Sequence, residues 1–313
     1  MAAKTSLADP FRKPSPLRQG DRVAVIAPSG PVPSERLSVG LAVLSARHPV
    51  LQSDGLLSKR GFLAGDDGRR LAELRWALSD PQVQAVFCAR GGHGALRLLP
   101  SLLNMEPSEL PIRPLVGFSD VTVLHALCAL HRRVTIHGPV VTQLGELSES
   151  DQSSLWSLLE GELPSPMTEL MSIGPPLPSV RGRLLGGNLE VLSRLCGTAL
   201  QAALTQSGPV VLLIEEVTEA PYRIDRALTQ LLVSGALRCV VAVVVGDLVR
   251  CEGPAEHPTA LAVIAERLSG LGVPIVAGLP LGHGARNRAV PLGVEVEVCA
   301  RRGALSFVEA CVT

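Results

Sequence analysis

At 313 residues the chain is long enough for two domains of about 150 residues each. Apolar side chains make up 46% and charged ones 19%, which fills a large core and excludes disorder. Basic and acidic residues balance at 29 each and aromatics reach only 3%, which excludes a basic nucleic-acid face and a stacking platform for single strands. Residues 1–20 are polar and Pro-containing and read as a loose lead-in with no apolar signal-type stretch. Arg22–Ala27 reads as a buried strand ended by Pro28-Ser-Gly30, followed by an apolar period through Leu37, Leu41 and Leu44. Residues 68–79 place Leu71, Leu74 and Leu78 on one helical face, with the charges expected on the opposite, solvated one. Gln84–Ala89 is a second strand, running into Arg90-Gly-Gly-His-Gly94 and a helix-like ALRLLPSLL. Arg113–Gly117 is a third, followed by Phe118-Ser-Asp120 and the apolar helix VTVLHALCAL.

Strands alternating with helices through Gly-rich turns predict a parallel sheet in an N-terminal α/β domain, residues 1–145. Residues 146–180 turn Ser/Glu-rich and then Pro-rich, and read as an interdomain linker. Residues 181–313 hold apolar runs at Val210–Ile214, Cys239–Val245, Val273–Ala277 and Val294–Val298, with helix-like segments near 188–196, 223–233 and 259–270. Their less regular order predicts a second, smaller α+β domain. None of these runs approaches the roughly 20 residues needed to span a bilayer, and a cytoplasmic protein is expected. Seven cysteines, an odd number with no C-x-x-C pair, read as small buried hydrophobes of a reducing compartment.

The chemistry narrows by elimination. None of the seven histidines forms H-E-x-x-H, and no Cys/His cluster has zinc spacing, so no metal site is expected. The GGHGAL loop lacks the Lys-Ser/Thr of a phosphate loop and the third Gly of a dinucleotide fingerprint. Nucleophilic catalysis is left. Ser119 sits where a strand ends and a helix begins, with N–H groups of the first turn able to stabilise an oxyanion. Its surroundings, Gly-Phe-Ser-Asp-Val, do not match G-x-S-x-G, and an ordinary turn serine remains open on this ground alone. For a base, His283 lies between Gly282 and Gly284, a backbone suited to aiming one side chain; His93 and His137 compete. An orienting acid is available where Val210–Ile214 runs into Glu215-Glu216.

Taken in order, a set of blocks over about residues 20–300 carries a family resemblance. They are GDRVAVIAPSG, the stretch from GFLAGDDGRRLAEL to CARGGHGALRLLP, GFSD with its apolar helix, and HGP at 137–139. RLLGGNL, IEEVTEAPYRIDR and GLPLGHGARNRAVPLG follow. Together they resemble the LD-carboxypeptidases, serine peptidases that include muramoyltetrapeptide carboxypeptidase and the microcin C self-immunity peptidases. The resemblance implies a site between an N-terminal nucleophile domain and a smaller C-terminal domain. It implies Ser119 as nucleophile, His283 as base and Glu215 as the orienting acid, with oxyanion donors at Asp120 N–H and Gly91 or Gly92 N–H. Strand alternation sends Glu215 and Glu216 to opposite faces, and the resemblance selects Glu215.

The implied activity is release of a terminal D-residue, D-alanine, from cell-wall tetrapeptides, with no metal or organic cofactor. The expected partners are a small peptide or muropeptide and a second copy of the chain in a homodimer, with neither nucleic acid nor membrane. Two departures stand out: His93 where the family usually has Tyr, and Glu215-Glu216 where it usually has Glu-Asp. The chain's only tyrosine, Tyr222, reads either as packing or as lining the cleft. The alternatives are a self-immunity-type peptidase acting on a peptidyl-nucleotide antibiotic, or a catalytically idle peptide-binding protein. The first needs a base-stacking aromatic, and Trp156 is the only late tryptophan.

Overall fold

The computed structural model describes residues 10–106, 109, 112–175 and 177–313. Residues 1–9 of the lead-in and Pro176 of the Pro-rich stretch lie outside the described residues. Strands are numbered in chain order: β1 (Val23–Ile26), β2 (Val50–Gln52), β3 (Ala85–Cys88), β4 (Leu115–Gly117) and β5 (Thr135–His137). Then come β6 (Met171–Ile173), β7 (Val180–Asn188), β8 (Val210–Val217), β9 (Val240–Val249) and β10 (Ile275–Ala277). The last three are β11 (Val290–Leu292), β12 (Glu295–Cys299) and β13 (Ala304–Phe307).

The chain is α/β, with two sheets. The first has the order β11-β5-β4-β3-β1-β2, and β1 to β5 are all parallel. Strands β1, β3 and β4 are buried throughout, which is why they read as unbroken apolar runs. The order switches direction between β1 and β3, and ligands of open parallel sheets bind where the strand order reverses. Pro28–Gly30 and Arg90–Gly94 follow those two strands. The second sheet has the order β13-β12-β7-β8-β9-β10-β6, with β7 to β10 parallel and β12, β13 and β6 antiparallel at its flanks. Its mixed character therefore comes from the edges, around a parallel centre.

Three sequence expectations change. The lead-in is tied down from Phe11 onward: Phe11 and Leu17 are buried, and Arg12 N–H donates to Arg132 C=O at 2.7 Å. In the expected linker, helix Glu149–Glu160 buries Leu155, Trp156, Leu158 and Leu159, with the Trp156 ring 6.3 Å from that of Phe87 on β3. Ser148 caps this helix, accepting from Asp151 N–H at 3.2 Å. Finally, β11 carries the late chain back to the first sheet, pairing antiparallel with β5 (Val290 opposite His137). Pro291 is tolerated because β11 is an edge strand.

The two sheets meet at Gly187, where a Cβ would stand 2.4 Å from Thr122 Oγ1; a Cβ on Gly186 would stand 2.0 Å from the Leu213 C=O of β8, its neighbour in the same sheet. Only bare backbone lets β7 approach helix Thr122–Leu130, the helix that follows Ser119. That contact brings the end of β4 and the end of β8 to one cleft.

Candidate active site

The turn after β4 is strained. Phe118 is extended, and Ser119 then adopts φ +65, a left-handed conformation uncommon outside glycine. A short turn, Ser119–Val121, leads into helix Thr122–Leu130, whose first N–H, that of Thr122, donates back to the Ser119 and Asp120 carbonyls. The serine thus projects from the end of its strand.

Facing it is the loop after β3. A Cβ on Gly91 would lie 2.8 Å from Ser119 Cβ and 3.0 Å from its Oγ, so no side chain fits there. Gly91 C=O accepts from Gly30 N–H at 3.0 Å, and Gly92 takes φ +107. Asp120 is buried, and its carboxylate accepts from Ala95 N–H at 2.8 Å, joining the nucleophile's turn to the far end of the glycine loop. Burial pushes the Asp120 carboxyl above the usual carboxylate range.

A second clamp comes from helix Asp67–Ser79. Arg70 and Glu73 are buried, not solvated. Arg70 Nη1 donates to Pro28 C=O at 2.6 Å and Gly94 C=O at 2.7 Å, while its other nitrogen pairs with Asp67. Glu73 accepts from Ala27 N–H at 2.7 Å. One guanidinium therefore fixes the turns after both β1 and β3. The signal available in the sequence was the i, i+3, i+4 spacing of Arg70, Glu73 and Leu74, which puts charges on the buried side of the helix.

His283 bridges the two sheets. Its Nε2 lies 3.1 Å from Ser119 Oγ, a residue 164 positions away, and its Nδ1 lies 2.7 Å from Glu215 Oε2. Glu215 Oε2 can only accept, so Nδ1 carries the proton and Nε2 is free to accept from the serine hydroxyl. Glu215 is wholly buried, and its Oε1 has no hydrogen-bond partner among the described residues. The Phe118 ring packs on the imidazole at 4.7 Å between centroids.

Both flanking glycines are explained by carboxylates. A Cβ on Gly282, at φ +122, would lie 3.1 Å from Glu215 Oε2, and one on Gly284 would lie 2.2 Å from Asp247 Oδ2. Asp247 accepts from Gly284 N–H at 3.2 Å, and Asn287 Oδ1 accepts from Gly282 N–H at 3.1 Å. These two braces were missed in the sequence. Asp247 follows the apolar run of β9, the same signal that pointed to Glu215.

The competitors go elsewhere. Glu216 turns away from His283 and accepts from Asn188 Nδ2 at 2.9 Å and Glu190 N–H at 2.8 Å. His137 is fully buried behind Phe118, with neither ring nitrogen hydrogen-bonded among the described residues. Burial pushes its imidazole down to about 3, which makes it a poor base. His93 packs edge-on against exposed Phe62 at 5.5 Å. Tyr222 is exposed, with the guanidinium groups of Arg223 and Arg226 each 5.7 Å from its ring. Among the described residues, no group of three or more His, Cys, Asp or Glu is arranged to hold a metal ion.

Comparison with known proteins gives a consistent picture. Residues 23–138 match the model of the LD-carboxypeptidase N-terminal domain, and residues 181–298 match that of the LD-carboxypeptidase C-terminal domain. The murein tetrapeptide carboxypeptidase of Pseudomonas aeruginosa is 34% identical over 287 residues, 87% of this chain and 91% of that protein. The crystal structure of muramoyltetrapeptide carboxypeptidase from Oxalobacter formigenes superposes with TM-score 0.78 at 27% identity, covering 91% of this chain and 97% of that one. The structure of MccF in complex with glutamyl sulfamoyl guanosine shares the fold, with TM-score 0.84 at 18% identity over 97% and 100% of the two chains.

Proposed function

Because the chain belongs to the LD-carboxypeptidase family, we propose that it is a cytoplasmic serine carboxypeptidase releasing a C-terminal D-amino acid, D-alanine, from cell-wall tetrapeptides in murein recycling. The observation that carries this reading is the continuous hydrogen-bonded array from Ser119 through His283 to Glu215. Each distance lies within reach of proton transfer, ~2.6–3.2 Å.

In this mechanism His283 Nε2 takes the Ser119 proton as Oγ attacks the carbonyl carbon of the last peptide bond. Glu215 holds the productive imidazole tautomer and stabilises the imidazolium that forms. The carbonyl oxygen becomes an oxyanion and accepts from the N–H groups of Asp120 and of Gly91 or Gly92. His283 then returns the proton to the leaving amine, the C–N bond breaks, and the D-amino acid departs. Water, deprotonated by His283, attacks the acyl-enzyme, and the same groups act once more to free the shortened peptide and regenerate Ser119.

The position of Trp156 supports this reading over a peptidyl-nucleotide substrate. Its ring is buried among Phe87, His48 and Arg47, and cannot stack on a base in the cleft. Incubation with murein tetrapeptide is expected to yield tripeptide and free D-alanine, read by mass spectrometry. A tetrapeptide with an amidated terminus is expected to be inert. Equal turnover of amide and acid would make the protein an amidase or endopeptidase and overturn the proposal.

A further inference from the structure

β8 carries two adjacent buried carboxylates, and the catalytic reading uses one. Glu216 is 3% exposed, and its two oxygens take three N–H donors. Oε1 accepts from Asn188 Nδ2 at 2.9 Å and from Val217 N–H at 2.8 Å, and Oε2 accepts from Glu190 N–H at 2.8 Å. Burial pushes this carboxyl up to about 7 while the three donors pull it down. A carboxyl buried in that way costs more than an apolar residue of the same size, and its three donors hold it in one place.

What it holds is Asn188, the last residue of β7. Asn188 pairs in register with Glu215, and its side-chain oxygen accepts from Val191 N–H at 3.1 Å. Its own N–H donates to Thr122 Oγ1 at 3.0 Å. Thr122 opens the helix that follows the strained Ser119 turn, and its N–H donates to the Ser119 and Asp120 carbonyls. The glycine before Asn188 leaves no Cβ to keep Thr122 away. One path of hydrogen bonds therefore runs from the strand of the acid, across β7, to the turn of the nucleophile.

We propose that Glu216 is a positioning residue: through Asn188 and Thr122 it locks the nucleophile's helix to the strand carrying Glu215, and so sets the Ser119–His283 distance. The proposal rests on the serine-peptidase reading above. It gives the Gly-Gly-Asn stretch of β7 a task in the active site, although β7 supplies none of the three groups in the array. Glu216 acts on the nucleophile's side, leaving the His283–Glu215 bond unchanged.

The test uses Thr122→Ala, which removes the hydroxyl, Thr122→Ser, which keeps it, and Glu216→Gln, which sets an amide N–H against the Glu190 N–H. Misplacement of a reacting group by about 1 Å costs about 100-fold. Thr122→Ala and Glu216→Gln are expected to lower kcat about 10- to 100-fold with KM nearly unchanged, and Thr122→Ser to stay close to the parent. The low-field proton resonance of His283 Nδ1–H should survive in all three and vanish in Glu215→Gln. In a crystal structure of Thr122→Ala the Ser119–His283 contact should open while the His283–Glu215 contact holds. Parent-like turnover by both Thr122→Ala and Glu216→Gln, or loss of the low-field resonance in Glu216→Gln, would overturn the proposal. If the parent releases no D-alanine, the peptidase reading fails, and the crystallographic distances still decide whether the lock exists.

Discussion

The nucleophile and the acid reach one cleft from strands built in opposite ways. β4 has three residues, and Ser119 stands beyond its end on a left-handed turn. β8 has eight residues, and Glu215 lies within it, opposite Asn188 of β7. Ser119 is held by what is missing around it, since the nearest backbone at Gly91 leaves no room for a methyl group. Glu215 is held by its place in the β7 ladder, which does not depend on its side chain, while the register with β9 skips it at a bulge between Ile214 and Glu216. The serine's geometry is therefore sensitive to added atoms, and the acid's contribution is sensitive to lost charge.

The largest expected effect tests the acid's side. Glu215→Gln keeps the shape and removes the charge, and activity should fall about 10⁴-fold with the melting curve preserved. Loss of the fold instead would show that the carboxylate is structural and erase the contrast. On the nucleophile's side, Gly91→Ala forces the glycine loop off Ser119, and kcat should drop about 10²- to 10³-fold through the displaced oxyanion donors. A Gly91→Ala enzyme with normal kcat would show that the loop is pliable. Next comes the staple shared by β1 and β3: Arg70→Met strands the buried Pro28 and Gly94 carbonyls, at about 1–3 kcal/mol each by chemical denaturation. An unchanged midpoint would mean that water replaces the guanidinium.

The smallest effect concerns His137, which lies behind the nucleophile's turn. Its folded-state pKa of about 3 lies below the free value of 6.5, so the unfolded chain takes up a proton that the folded chain refuses. Stability from this group is complete well above pH 6.5 and is lost as pH falls through 6.5 toward 3. Between pH 6.5 and 5 the loss is about 1.6 kcal/mol. His137→Leu should flatten the pH dependence of the denaturation midpoint by that amount. Identical slopes would show that the ring finds a proton partner.

The strands that put the serine in place were legible because each is buried on both faces and therefore continuously apolar, as in Val23–Ile26 and Ala85–Cys88. Ser119, Glu215 and His283 could be named as candidates from strand ends and flanking glycines, but only the family resemblance chose among rivals such as His93 and His137. β7 was illegible because Arg181, Arg183, Gly186 and Gly187 interrupt its pattern, and Gly187 answers to a helix about 65 residues earlier while Gly186 answers to the backbone of β8. Arg70 was misjudged because a buried guanidinium looks like a surface one until its two carbonyl partners, on separate turns, are known.

The return of β11 to the first sheet has a consequence for synthesis. β5 is complete when His137 leaves the ribosome, but the strand that covers its open edge comes about 150 residues later. At about 5–20 residues per second that interval is roughly 8–30 s. Throughout it, the nascent first half displays an unpaired strand edge beside an unfinished cleft. Such edges recruit other chains. A fragment ending near Gly145 should therefore need a chaperone or aggregate, and the protein should become self-sufficient only once nearly all of it has been made.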